Sequence, residues 1–108
     1  MDKTILSQLR KFKKALEQKG ITVEKMILYG SHASDKADKH SDIDIIVISQ
    51  YFKGMNILQR GETFGKILAD IRMVAPIEPL GFTENEFNKK GRGTFIGDEV
   101  KVKGIDVN

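Results

Sequence analysis

The chain has 108 residues, of which 40% are hydrophobic and 31% are charged, and its formal net charge is +3. This length is typical of one compact domain, so we expect residues 1–108 to form a single domain, and no apolar run approaches the ~20 residues that cross a membrane. Because the chain has no cysteine, disulfides, thiol nucleophiles and thiolate metal sites are excluded, which leaves oxygen or imidazole ligands for a metal ion. The first residues lack the apolar stretch of a secretory signal, so we expect a cytoplasmic protein.

The excess of basic residues does not by itself predict nucleic-acid binding. Five of them lie on the polar side of the first predicted helix or just after it: Arg10, Lys11, Lys13, Lys14 and Lys19. A solvated helix face explains such a distribution. The stretch also lacks the aromatic interleaving of single-strand binders, so nucleic-acid binding is not expected, although it stays open.

A first helix is predicted over residues 5–16, where apolar side chains recur at spacings of three and four. Asp2 or Thr4 can cap its start, and Gly20 can end it. A short strand is predicted next, over residues 23–29, and it stops at a glycine-serine pair.

A second strand is predicted over residues 42–49, because the run Ile45–Ile48 is β-branched throughout and such runs are typical of strands buried on both faces. Residues 56–72 show an imperfect helical pattern with two internal glycines and are predicted as a second helix. A third strand is predicted over residues 73–77. Pro79 must then lie at its end or on an edge of the sheet, because proline cannot donate to a central ladder.

The C-terminal part begins with a helix-start pattern. Thr83 and Glu86 have the spacing of a capping box, and Phe82 and Phe87 are placed as a hydrophobic staple. A last short helix and an extended end are predicted within residues 94–108. This order of elements predicts an α/β fold with a small mixed sheet of three to four strands flanked by helices.

Two carboxylates stand at the start of the second predicted strand. Asp42 and Asp44 are two residues apart, so both project from the same face of the strand. Neighbouring like charges are costly unless they share a proton or a cation, and Mg²⁺ prefers one or two carboxylates plus substrate phosphates. The two acids are therefore candidate Mg²⁺ ligands, although an isolated Asp-x-Asp also occurs where acids only keep a strand edge soluble.

The first predicted strand runs into Gly30-Ser31, and the polar segment 31–41 that follows is compatible with a helix. Glycine lets the backbone approach a phosphate closely, while the N–H groups of a helix start and the Ser31 hydroxyl can donate to its oxygens. A tight strand-to-helix turn needs no ligand, so the pair alone is a weak signal. Together with the acids it predicts a triphosphate site, in which metal ions assist attack of a hydroxyl on the α-phosphorus.

A third acid is wanted in a two-metal site. Glu78 is the candidate, because it closes the predicted third strand, and this strand can lie beside the second. Its carboxylate can accept the proton of the attacking hydroxyl. The competing interpretation makes it a surface residue before a proline. Weaker candidates are Asp70 and the two acids Glu84 and Glu86, which look like helix-start residues that favour the helix dipole.

These residues carry a family resemblance. The stretch from Gly30 to Val47, GSHASDKADKHSDIDIIV, resembles the signature of the polymerase-β-like nucleotidyltransferase superfamily in its glycine-serine turn, in Ser41 before the first aspartate and in its Asp-x-Asp. The small size and the segment Ile77–Phe87, IEPLGFTENEF, are similar to the stand-alone minimal nucleotidyltransferases. The resemblance implies Mg²⁺ and ATP as ligands, nucleotide binding by Gly30, Ser31 and Ser41, and catalysis and metal binding by Asp42, Asp44 and Glu78.

The chain departs from the family pattern at one place. Ser34-Asp35 stands where family members often carry Arg-Gly, and His32 stands where a basic or aromatic residue is common. An aspartate near phosphates is unhelpful, and Lys36, Lys39 or His40 would have to compensate. The two histidines are also candidate metal ligands, with a surface role as the alternative.

The resemblance implies transfer of AMP from ATP to a hydroxyl on a partner protein, as in antitoxins that pair with a helical HEPN-type toxin. The alternative is a catalytically weak binding protein of the same fold that neutralises its partner by occlusion. A polymerase-like or tRNA-modifying fragment is a third interpretation, which the positive charge permits and the short length disfavours.

Overall fold

The structure is a computed structural model that describes residues 3–34, 36–38, 41–73 and 76–107. Its helices and strands are α1 Lys3–Gln18, β1 Lys25–Tyr29, β2 Ile43–Ile48, α2 Ile57–Ala69, β3 Ile77–Phe82, α3 Glu84–Asn88, α4 Lys101–Lys103 and β4 Ile105–Asp106. Short 3-10 turns occupy Gly30–His32 and Gln50–Phe52, and a π-helical turn at Ile96–Val100 runs into α4. None of the helices in the described ranges has both the length and the apolar character to span a membrane.

The four strands form one mixed sheet in the order β3-β2-β1-β4. β1 is antiparallel to β2 and to β4, whereas β2 is parallel to β3. The parallel pair needs a crossover connection, which α2 supplies. This arrangement confirms the α/β fold with a small mixed sheet flanked by helices.

Helices α1 and α2 cover one face of the sheet. The core on this face includes Ile5, Leu9, Phe12, Leu16, Phe64 and Ile67 from the helices and Met26, Leu28, Ile43, Ile45, Val47 and Ile77 from the strands. The predicted first helix is confirmed and begins two residues earlier than its apolar stripe. It ends as expected before Gly20, which has a φ of +84°, and the Ile21 N–H donates to the Leu16 carbonyl at 3.1 Å.

The C-terminal segment covers the second face. Its buried side chains Phe87, Ile96 and Val100 pack with Ile27, Tyr29, Ile46 and Ile48 of the sheet. Strand β2 is therefore buried on both sides along Ile45–Ile48, which confirms the interpretation of its continuous apolar run.

The predicted third strand was wrong in its bounds. Residues 74 and 75 of that prediction lie outside the described residues, and the observed strand is Ile77–Phe82, with Glu78 near its start instead of at its end. Pairing with β2 decides the position, because Ile77 lies opposite Ile43 and Phe82 opposite Ile48. Pro79 is tolerated inside β3 because this is an edge strand of the sheet.

The turn after β1 is shorter than the helix with which segment 31–41 is compatible. Among the residues of this segment that the structure describes, Gly30–His32 alone is helical, as a single 3-10 turn. The capping box at the start of α3 is confirmed, since the Thr83 hydroxyl accepts from the Glu86 N–H and the Glu86 carboxylate accepts from the Thr83 N–H. The helix predicted over residues 56–72 is also present, and it begins after Asn56 with a second capping box.

Candidate active site

The candidate acids meet at one end of the sheet, where β1 ends and both β2 and β3 begin. Asp44 lies directly opposite Tyr29 of β1 and directly opposite Glu78 of β3. Side chains of directly opposite residues project from the same face of a sheet. Asp42, two residues earlier, acts together with Asp44 to raise the pKa of Glu78, so the three predicted acids are close neighbours.

Electrostatic repulsion is the main feature of this cluster. Burial and the charge of Asp42 raise the pKa of Asp44, partly offset by a hydrogen bond with Glu78 and by nearby His32. The pKa of Glu78 is raised too, chiefly by its hydrogen bond to Asp42 and by the charge of that residue. Neighbouring carboxylates repel one another when all are ionised, so binding of a proton or of a cation would relieve the repulsion in this cluster.

The donor set fits a hard divalent cation. Carboxylate oxygens are the ligands that Mg²⁺ takes in proteins, and Asp42, Asp44 and Glu78 are the residues that would hold it. Among the described residues, no three His, Asp or Glu side chains form a ready-made metal cage. Mg²⁺ does not require one, because it usually keeps several waters and binds through one or two carboxylates together with substrate phosphates.

The glycine-serine turn lies against the same acids. Gly30 has a φ of +75°, and a methyl group added to it would lie 2.5 Å from Oδ2 of Asp44. The backbone of the turn and the carboxylate are therefore close neighbours, and a side chain cannot stand between them. The first N–H groups of a helical turn have no partner within the turn, so those after Gly30 are suited to phosphate oxygens, as the sequence suggested.

The predicted nucleotide-binding serines have different surroundings. Ser31 is partly buried in the 3-10 turn, and its carbonyl accepts from the Lys36 N–H at 3.1 Å. The Ser41 hydroxyl accepts from the Asp38 N–H at 3.1 Å and contacts the Asp38 carboxylate at 3.4 Å. Ser41 therefore also shapes the turn that leads into β2.

His32 links the two loops of the site. Its Nε2 atom lies 3.1 Å from the Ser41 carbonyl oxygen, and the proximity of His32 opposes the rise in the pKa of Asp44. The Ser34 hydroxyl, at the departure from the family pattern, donates to the Gly30 and Ser31 carbonyls at 3.3 Å each. Asp35, Lys39 and His40 lie outside the described residues.

Of the weaker candidates for the third acid, Glu86 has a structural role. Its carboxylate accepts from both terminal nitrogens of buried Arg60 at 2.6 and 2.9 Å, and this pairing lowers its pKa to about 2. The same guanidinium donates to the Phe52 and Gly81 carbonyls. Glu86 is thus part of a core hydrogen-bond network, while Glu84 and Asp70 are exposed residues at helix ends.

The structure adds Tyr29, which the sequence did not single out. It is buried at the end of β1, and burial together with the charges of Asp44 and Glu78 raises its pKa to about 12. Its ring packs edge-to-face on Phe95. The only signal in the sequence was its place as the last strand residue before the glycine-serine turn.

Comparison with known proteins identifies the domain family and the fold. A model of the nucleotidyltransferase domain family matches residues 9–95. A crystal structure of a candidate nucleotidyltransferase from Sulfolobus solfataricus is 23% identical, with 98% of this chain and 86% of that chain covered and a TM-score of 0.56. A crystal structure of a toxin-antitoxin with AMP-PNP is 16% identical, with 95% and 72% covered and a TM-score of 0.62. At these identities the two structures show a shared fold, and a search of curated proteins returns no match.

Proposed function

Because this chain belongs to the nucleotidyltransferase domain family, we propose that it transfers AMP from ATP to a hydroxyl group of a partner protein and releases pyrophosphate. The observation that supports this most is the meeting of Asp42, Asp44 and Glu78 on one sheet face against the backbone of Gly30. A triphosphate bound by the Gly30-Ser31 turn would lie beside the acids that would hold its metal ion.

Each residue has a defined task in the reaction. The Gly30-Ser31 turn binds the triphosphate through N–H groups and a hydroxyl, and Asp42, Asp44 and Glu78 are the residues that would hold Mg²⁺. The ion supplies charge stabilisation for the attacking and leaving oxygens. Glu78 is exposed and accepts the proton of the incoming hydroxyl. The hydroxyl oxygen bonds to the α-phosphorus as the bond between the α-phosphorus and the bridging oxygen breaks, and pyrophosphate departs.

The partner would be the toxin of a toxin-antitoxin pair, of the helical HEPN type that the family resemblance implies. The toxin-antitoxin structure with AMP-PNP, an ATP analogue, supports this choice through its shared fold. A further observation favours a protein partner. Ile57 and Leu58 are 85% and 70% exposed in the first turn of α2, beside a groove of about 560 Å³ that Met55 and Phe82 also line. Exposed apolar patches of this kind mark protein contacts.

The same groove supports the second candidate function, in which the protein neutralises its partner by occlusion with little catalysis. Such a role needs only the apolar contact surface, so the two functions differ in whether a covalent bond forms.

The test uses ATP labelled at the α-phosphate, Mg²⁺ and the protein encoded by the neighbouring gene. We expect label on that protein, and we expect Asp42→Asn and Asp44→Asn to abolish it. Asp70→Asn is the matched control, because Asp70 is an exposed carboxylate at the end of α2. A stable complex without label transfer would favour neutralisation by occlusion over catalysis. In a parallel reaction with added tRNA, label on the RNA instead of the protein would favour a polymerase-like or tRNA-modifying role.

A further inference from the structure

An exposed aromatic ring lies next to the carboxylates and has no task in the proposed transfer. Phe95 is 56% exposed. Its ring packs edge-to-face on Tyr29, with centroids 5.6 Å apart and an interplanar angle of 77°. Tyr29 is in turn the direct cross-strand partner of Asp44. One aromatic residue therefore separates the Phe95 ring from the acid that faces the phosphate-binding turn.

Hydrogen bonds fix the turn that presents this ring. The Thr94 hydroxyl donates to the Gly91 carbonyl at 2.6 Å, and the Gly93 N–H donates to the two carboxylate oxygens of Asp98 at 3.1 and 3.2 Å. The first bond closes the loop before Phe95 on itself, and the bonds to Asp98 tie that loop to the helical segment Ile96–Val100 that follows. A ring held in this way loses little conformational freedom when a ligand packs against it.

The geometry points to Phe95 as the platform on which the nucleobase of the bound triphosphate stacks, with Tyr29 supporting the ring from behind. This inference rests on the proposed function, which places the phosphates at Gly30 and the metal ion at Asp44. Charged groups and N–H donors hold the phosphates and leave the base free to meet a flat apolar surface. Every base has a π face, so stacking alone discriminates little between bases. We therefore expect stacking on Phe95 to increase the binding affinity of ATP and of GTP by similar factors.

The test compares ATP with inorganic tripolyphosphate, which has the phosphates and no base, in calorimetric titrations with Mg²⁺. Phe95→Leu keeps an apolar cover over Tyr29 and removes the π face. We expect it to weaken ATP binding by roughly 5- to 150-fold and to leave tripolyphosphate binding unchanged, whereas Phe95→Tyr should bind ATP as the parent does. Tyr51→Leu is the matched control, because Tyr51 is 46% exposed and also packs edge-to-face on a buried ring, that of Phe52 at 5.9 Å.

A second measurement guards against a variant that folds poorly. The chain has no tryptophan, so Phe95→Trp introduces a single tryptophan at the platform, which can be excited selectively at wavelengths that the tyrosines do not absorb. ATP should change its emission and tripolyphosphate should not, and a Tyr51→Trp protein should respond to neither.

The outcomes separate this inference from the function on which it rests. Equal ATP affinity of the parent and Phe95→Leu would overturn the platform and leave the triphosphate site standing. Equal weakening of ATP and tripolyphosphate would also overturn it, because Phe95 would then act only by supporting the acids. A parent protein that binds neither ligand would overturn the proposed function and the platform together.

Discussion

Replacing Gly30 by alanine should have a small effect on stability, through backbone strain, and a large effect on AMP transfer, through displacement of the Asp44 carboxylate. The residue has a φ of +75°, and the added methyl group would lie 2.5 Å from Oδ2 of Asp44. A left-handed backbone costs a residue with a side chain about 1–2 kcal/mol relative to glycine. The carboxylate must also retreat by roughly 1 Å to restore an ordinary contact distance.

The strained backbone and the displaced Asp44 carboxylate affect stability and catalysis to different extents. A carboxylate at the end of a side chain moves at small cost in stability, so we expect the free energy of unfolding to fall only by about 1–2 kcal/mol. Catalysis is more sensitive, since a misplacement of about 1 Å can cost on the order of 100-fold in rate. We therefore expect Gly30→Ala to lose roughly two orders of magnitude in AMP transfer while it remains folded.

Gly54→Ala is the matched control. Gly54 has a similar φ of +80°, and no atom lies within 4 Å of the position its methyl group would take. Urea unfolding should show similar losses for both variants, and transfer of α-labelled ATP should be lost only with Gly30→Ala. Normal transfer by Gly30→Ala, or an equal loss by Gly54→Ala, would refute the functional importance of the close contact between the turn and Asp44.

Three further predictions follow from the charges. The raised pKa of Asp44 means that the folded state binds the proton of this group more tightly than the unfolded state, so the stability due to this group rises as pH falls. Asp44→Asn should therefore raise the free energy of unfolding at pH 7 without ligand by about 1 kcal/mol or less, and with it the melting temperature. A lower melting temperature would contradict the repulsion. Glu78→Gln should cut transfer sharply in the labelled-ATP assay, and near-normal activity would make Glu78 a structural residue. Pairing with Arg60 lowers the pKa of Glu86 from 4.5 to about 2, so the stability that this ion pair contributes is fully present above pH 4.5 and is lost as pH falls towards 2. Because the Glu86 side chain is 41% exposed, we expect that contribution to be about 1 kcal/mol in the free energy of unfolding by urea. Glu86→Gln should remove that pH dependence.

Local patterns in the sequence predicted the elements that local physics determines. The apolar stripe of α1, the β-branched run of β2 and the capping box at Thr83 each depend on residues a few positions apart, and each is present in the structure. The acids of the candidate site were identifiable for the same reason. Asp42 and Asp44 are two residues apart, and the period of a strand places them together.

Contacts between distant segments account for what the sequence could not predict. The start of β3 is set by its register with β2, where Ile77 meets Ile43, so a reading of residues 73–77 alone misplaced it. Arg60 resembled an ordinary exposed basic residue of a helix, yet it is 7% exposed and its partners Gly81 and Glu86 are 21 and 26 positions away. Burial of such a charge requires partners that only the fold assembles.

The aromatic pair beside the site was missed for a related reason. Tyr29 and Phe95 belong to opposite ends of the chain, and only the packing of the C-terminal segment on the sheet brings their rings together. Neither residue belongs to a recognisable motif.

The proposed function depends most on the claim that the turn at Gly30 and the three acids form a single site for a metal-bound triphosphate. Mn²⁺ added with ATP to the isotopically labelled protein tests it directly, because a paramagnetic ion broadens the amide resonances nearest to it. We expect selective broadening at Gly30, Ser31, Asp42, Asp44 and Glu78 that the Asp44→Asn variant largely loses. Broadening scattered over other parts of the chain, or unchanged in that variant, would contradict the claim.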